Sequence, residues 1–109
     1  MNPVKEIDPR TLVEWLQEDK DFRLIDVRSV AEFGQGIIPK GEQLPLHLVP
    51  LRADELERDR DIVLYCRTGA RSAQACAFLG ERGFDQVYNL RGGIVTWARE
   101  GLPVVDAVA

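Results

Sequence analysis

The chain has 109 residues, 45% of them apolar, and a formal charge of −4. That length suits one domain with a single core, read here over residues 1–109, and the apolar share excludes a disordered chain. The acidic balance argues against nucleic acid or an anionic membrane as the main partner, and two cysteines with a single histidine, His47, exclude a disulfide framework and a multi-residue soft-metal site.

Met1–Asp8 lacks the apolar core of a signal peptide, and no run is apolar for long enough to span a membrane. A reducing cytoplasm is the expected compartment, where Cys66 stays a free thiol. Val4–Ile7 reads as a short strand. Asp8 then caps a helix with Pro9 at its first position, and Leu12, Val13, Trp15 and Leu16 form its apolar stripe. Phe22–Val27 reads as a strand, and Ser29 caps a short helix through Phe33. Gly34, Gly36, Pro39 and Gly41 mark a long turn.

Gln43–Leu46 is expected as a brief strand and Val49–Leu56 as a helix with Pro50 in its first turn. Ile62–Tyr65 is a strand that delivers Cys66. A helix follows from near Arg71 or Ser72 and ends near Gly83, which suits a left-handed cap. Gln86–Leu90 is the last strand, Gly92-Gly93 a turn, and Ile94–Glu100 a closing helix. Strands alternating with helices predict an α/β fold, a small mostly parallel sheet of about five strands with helices on both faces. In such folds reactive groups gather at the carboxyl ends of strands, where both Asp26 and Cys66 fall.

Cys66-Arg67-Thr68-Gly69-Ala70-Arg71-Ser72 is the segment that carries chemistry. A thiol between a strand end and a helix start lies in positive potential, which favours the thiolate. Successive loop amides form an anion-binding nest, Gly69 admits a left-handed turn, and Arg67 and Arg71 add positive charge. Cys76, amid Ala75, Ala77, Phe78 and Leu79, reads as core packing. Trp15 and Trp97 read as packing anchors.

From Val4 to Pro103 the chain resembles the single-domain rhodaneses, a sulfurtransferase family. Three motifs carry the resemblance: Leu24-Ile25-Asp26-Val27-Arg28 with Glu32-Phe33, the loop Cys66–Ser72, and Leu90-Arg91-Gly92-Gly93-Ile94-Val95-Thr96-Trp97. Ile37 stands where the family often has histidine. The resemblance implies that Cys66 takes a sulfane sulfur from a donor such as thiosulfate, becomes a persulfide, and passes the sulfur to cyanide or a thiol. Arg67, Thr68, Gly69, Ala70, Arg71 and Ser72 would bind the substrate, with no metal or organic cofactor. A sulfur-carrier protein is a further candidate partner.

By the same resemblance Asp26 lies near the loop and steadies its backbone or an arginine; the alternative is a helix cap. Arg28 reads as surface charge within reach of Glu32. Three other functions compete: a protein-to-protein persulfide relay, a non-catalytic binding module and a cysteine-dependent phosphatase. Such phosphatases place arginine six positions after cysteine. Here Arg71 comes five after, and the shorter loop suits a sulfur atom better than a phosphoryl group.

Overall fold

The computed structural model describes residues 3–107. The reading of Met1 and Asn2 as part of a leaderless N-terminus lies outside them. Five strands, β1 (Glu6–Ile7), β2 (Phe22–Asp26), β3 (Glu42–Gln43), β4 (Asp61–Tyr65) and β5 (Val87–Leu90), form one sheet in the order β1-β5-β4-β2-β3. Every pairing is parallel. The helices are α1 (Pro9–Gln17), α2 (Val30–Phe33), α3 (Val49–Arg52), α4 (Ala70–Glu81) and α5 (Gly93–Arg99).

The expected caps are present. Asp8 Oδ1 accepts the Thr11 amide at 2.8 Å, with Pro9 opening α1. Ser29 and Glu32 cap α2 reciprocally, each side chain accepting the other's backbone N–H. Gly83 ends the α4 segment with φ +89°.

Two expected elements differ. The strand placed at Gln43–Leu46 is Glu42–Gln43, because the Leu44 and Leu46 amides turn to the carbonyls of Asp26 and Val27 beyond the ladder. The helix placed at Val49–Leu56 is α3 alone, flanked by 3-10 turns at Leu46–Leu48 and Ala53–Glu55. Pro50 lacks an N–H and permits only the start of a helix, and the short segment tightens at its end.

Alternation along the strands sorts the core into two layers. Ile62, Leu64 and Cys66 pack with Ala75, Cys76 and Leu79 of α4 and with Val49 of α3. Val63 and Tyr65 face the other way, against Leu12 of α1 and Ile94 and Trp97 of α5. Helices thus cover both faces, as expected. Parity along β4 therefore decides that Cys66 emerges on the α4 side.

After β2 the chain passes to β3, on one side. After β4 it passes through α4 to β5, on the other. The adjacent carboxyl ends of β2 and β4 thus flank the point where the connections diverge. Open parallel sheets leave a crevice there, and Asp26 and Cys66 stand on its two sides.

Candidate active site

Cys66 is 1% exposed, yet it is not sealed in hydrocarbon. Its Sγ accepts the Gly69 amide at 3.1 Å, and the Ser72 hydroxyl lies 3.4 Å away. Gly69 adopts φ +111° at the N-cap of α4. That conformation folds the loop so that its amides face inward. The first amides of a helix have no partner within it and here meet a sulfur.

Burial alone pushes the Cys66 thiol up. The Ser72 hydroxyl, then the amides of Ser72, Gly69 and Thr68, outweigh it and hold the pKa below the ordinary value. No single hydrogen bond outweighs burial; together they reverse it. For Cys76 burial acts unopposed, with the charges of Cys66 and Glu6 adding to it, and its pKa is pushed up to about 12. Cys76 is 3% exposed and sits in the core, as its sequence context predicts.

The loop keeps its shape because its carbonyls are anchored on the opposite side. The first amides of α5 supply the anchors: Ile94 N donates to Cys66 O at 3.0 Å and Val95 N to Arg67 O at 3.1 Å. This contact needs Gly93, whose φ is +61°. A Cβ there would lie 2.4 Å from Arg67 O and 2.6 Å from Cys66 O. The Gly92-Gly93 pair read as a turn is therefore also the surface on which the loop rests.

Arg71 and Arg67 differ. Arg71 pairs with both Glu32 oxygens, at 2.7 and 2.8 Å. Its guanidinium is held above the usual range first by those hydrogen bonds, against desolvation, and further by the charges of Glu32, Cys66 and Asp26. The same contact, with Ser29, holds the Glu32 carboxyl at about 2 despite desolvation. Arg67 is exposed and has no ion-pair partner among the described residues. Thr68 and Ala70 are exposed, while Gly69 and Ser72 are buried.

The reading of Arg28 as surface charge near Glu32 is corrected. Arg28 is 4% exposed and grips Asp26 through Nε and Nη2, with Asp26 Oδ2–Arg28 Nη2 at 2.6 Å. Nη2 also donates to Gly36 O at 2.7 Å. Asp26 caps no helix; it holds this arginine. A buried charge needs such a partner, and β2 supplies one two positions away. Ile37, at the position where histidine was expected from the family, is 5% exposed and exchanges two backbone hydrogen bonds of 2.8 Å with Val105.

Beside the loop runs a groove of about 230 Å³. Arg28, Glu32, Gln35 and Arg67 line one part of it, and Ile94, Val95, Ala98 and Val104 the other. A larger cavity of about 310 Å³ lies by β3, among Arg23, Glu42, Arg52 and Glu55, and contains no residue of the loop. Of the two, only the groove includes a residue of the loop, Arg67.

Two residues that the sequence reading did not assign to the site belong to its surroundings. Glu32 reaches it through Arg71, 39 positions away. Asn89, 3% exposed at the end of β5, contacts both Ser72 and Gly69. A polar residue at an inward position of an apolar strand was its signal in the sequence. Among the described residues no three His, Cys, Asp or Glu side chains cluster to hold a metal ion, and no helix is long and apolar enough to cross a membrane.

The rhodanese-like domain family matches residues 8–100. A protein named sulfurtransferase from Allochromatium vinosum is 54% identical over 102 residues, covering 94% of this chain and 95% of its own. A thiosulfate sulfurtransferase of Glaesserella parasuis is 30% identical, with 91% of each chain covered. Among solved structures, a rhodanese-related protein from Thermoplasma volcanium superposes with a TM-score of 0.84 at 32% identity, over 93% of this chain and 97% of that one. The match spans most of the chain, the loop and the glycine pair included, and the chain belongs to the rhodanese-like domain family.

Proposed function

We propose that this chain is a sulfurtransferase, a single domain that carries sulfane sulfur on Cys66. In the first step the Cys66 thiolate attacks the outer sulfur of a donor such as thiosulfate. The Sγ–S bond forms, the donor's S–S bond breaks, and sulfite leaves with the electron pair. In the second step cyanide or a thiolate attacks the outer sulfur, and Sγ departs as thiolate. The reaction is covalent and runs by a ping-pong course.

The carrying observation is the inward Gly69 amide, 3.1 Å from a sulfur whose pKa lies below the ordinary value. Donors already in place stabilise charge without reorganising as it moves. Arg67, which has no ion-pair partner among the described residues, attracts the anionic donor, Arg71 lies beside it tied to Glu32, and Thr68, Gly69, Ala70 and Ser72 shape its seat. The names of the relatives support sulfur transfer in general, and the Glaesserella parasuis protein supports thiosulfate as donor. The engagement of Arg71 with Glu32 favours this reading over a phosphatase, which needs its arginine turned onto a phosphoryl group.

The test is intact mass after mixing the protein with thiosulfate alone. One added sulfur atom, lost again on adding cyanide with release of thiocyanate, is the expected result. An unmodified mass with thiosulfate and with every other sulfane donor tried would overturn the reading.

A further inference from the structure

The Ser72 hydroxyl has one proton and three acceptors nearby. Cys66 Sγ is at 3.4 Å and Gly69 O at 3.3 Å, while Asn89 Oδ1 is by far the nearest, at 2.5 Å. The orientation of the Asn89 amide is set from its other end. Nδ2 donates to Gly69 O at 3.1 Å and to Glu6 Oε2 at 3.4 Å, so Oδ1 must face Ser72. Ser72 is fully buried and Asn89 is 3% exposed. Water therefore does not compete freely for this proton.

We propose that Asn89 is a positioning residue that governs Cys66 through Ser72: its side-chain oxygen holds the hydroxyl proton while Sγ is uncharged, and yields it when charge develops on Sγ. This rests on the reading of Cys66 as the sulfur carrier. In the persulfide Sγ is bonded to the outer sulfur and bears little charge, so the hydroxyl stays on Asn89. When the acceptor attacks the outer sulfur, the S–S bond breaks and its electron pair goes to Sγ. The O–H then turns from Oδ1 to Sγ; no proton is transferred. A charged acceptor draws a hydrogen bond more strongly than a neutral amide oxygen, and the stranded Oδ1 sets the cost of that turn. The competition keeps Sγ more basic, and so more nucleophilic, than amides and hydroxyl together would leave it.

The experiment compares four proteins: wild type, Asn89→Leu, Ser72→Ala and the double variant. The pH dependence of Cys66 alkylation by iodoacetamide is followed by peptide mass, which separates it from Cys76. Asn89→Leu frees the Ser72 proton for the sulfur, and its midpoint should fall by about half to one pH unit. The limiting rate constant at high pH should fall about two- to threefold, as a less basic thiolate attacks more slowly. With Ser72→Ala, adding Asn89→Leu should leave both quantities unchanged.

Glu6, Arg91, Cys76 and Arg67, and the pairs Arg71–Glu32 and Arg28–Asp26, are common to all four proteins. Whatever Glu6 and the Gly69 carbonyl lose with Nδ2 is lost in both backgrounds and cancels in the comparison. An equal shift in both backgrounds, an unmoved midpoint or an upward shift in the single variant would overturn the proposal. Circular dichroism checks the fold, and Asn89→Ala makes the same comparison if the leucine does not fit. Alkylation needs no sulfur donor, so a protein that takes up no sulfur would defeat the functional reading and leave this test standing.

Discussion

Cys66 and Cys76 lie ten positions apart, both buried and both in the layer between the sheet and α4. Burial pushes each thiol up. At Cys76 nothing opposes it, and the pKa stands at about 12. At Cys66 hydrogen bonding to the anion by the Ser72 hydroxyl and the amides of Ser72, Gly69 and Thr68 reverses the sign. Their exposures, 1% and 3%, do not tell them apart. The direction of nearby N–H groups does, and that direction comes from a left-handed glycine three positions after one sulfur and an ordinary helical turn around the other.

Removing the sulfur gives the largest effect. Cys66→Ser should lower sulfur transfer, read as thiocyanate release, by about a thousandfold or more, with the circular dichroism spectrum unchanged. Retained activity would move the chemistry elsewhere. Gly93→Ala attacks the loop from beneath: its Cβ would overlap the Cys66 and Arg67 carbonyls. A displaced loop should cost about a hundredfold in transfer, and the Cys66 alkylation midpoint should rise toward that of an ordinary buried thiol. An unmoved midpoint would show that the α5 contact does not set the direction of the amides.

Alkylation of the native protein sharpens the comparison itself. Near neutral pH iodoacetamide should modify Cys66, while Cys76 reacts only after unfolding, as peptide mass will show. Glu32→Gln weakens the tie on Arg71. Because the Glu32 carboxyl is held at about 2 against an ordinary 4.5, its contribution to stability is full above the unfolded value and is lost as pH falls through the folded one. The stability gap between wild type and Glu32→Gln should therefore be present at pH 7 and close between about 4.5 and about 2, as urea unfolding at each pH will show. A gap that persists at low pH would assign the effect to packing. Smallest of all, Cys76→Ala should leave transfer within about twofold of wild type and cost about 1 kcal/mol of stability.

Much of this molecule was legible in its sequence. Asp8-Pro9 and Ser29 announced their helices because caps act within a few residues. The strands through Ile25 and Leu64 announced themselves by apolar run and β-branched content. Cys66, Gly69 and the start of α4 were readable because the nest is built from consecutive residues. The strand at Gln43–Leu46 was misplaced because the Leu44 and Leu46 amides follow the carbonyls of Asp26 and Val27 and not their own propensity, and the helix at Val49–Leu56 because so short a segment tightens into 3-10 turns.

The arginines mark the boundary of local reasoning. Charge pattern alone suggested Arg28 with Glu32, four positions on, yet Glu32 takes Arg71 and Arg28 takes Asp26. The pair Arg28–Asp26 is local, two positions apart, whereas Arg71–Glu32 depends on β2 and β4 lying beside each other. Asn89 and Gly93 likewise act on a loop more than fifteen positions away in the chain.

By itself the sequence determined the alternation of strands and helices, the family, and the residue proposed to carry the sulfur, because each is written in neighbouring residues. Only the tertiary structure decided which partners orient that sulfur's donors, because hydrogen bonds and ion pairs form between groups that the sheet order brings within about 3 Å, whatever their separation along the chain.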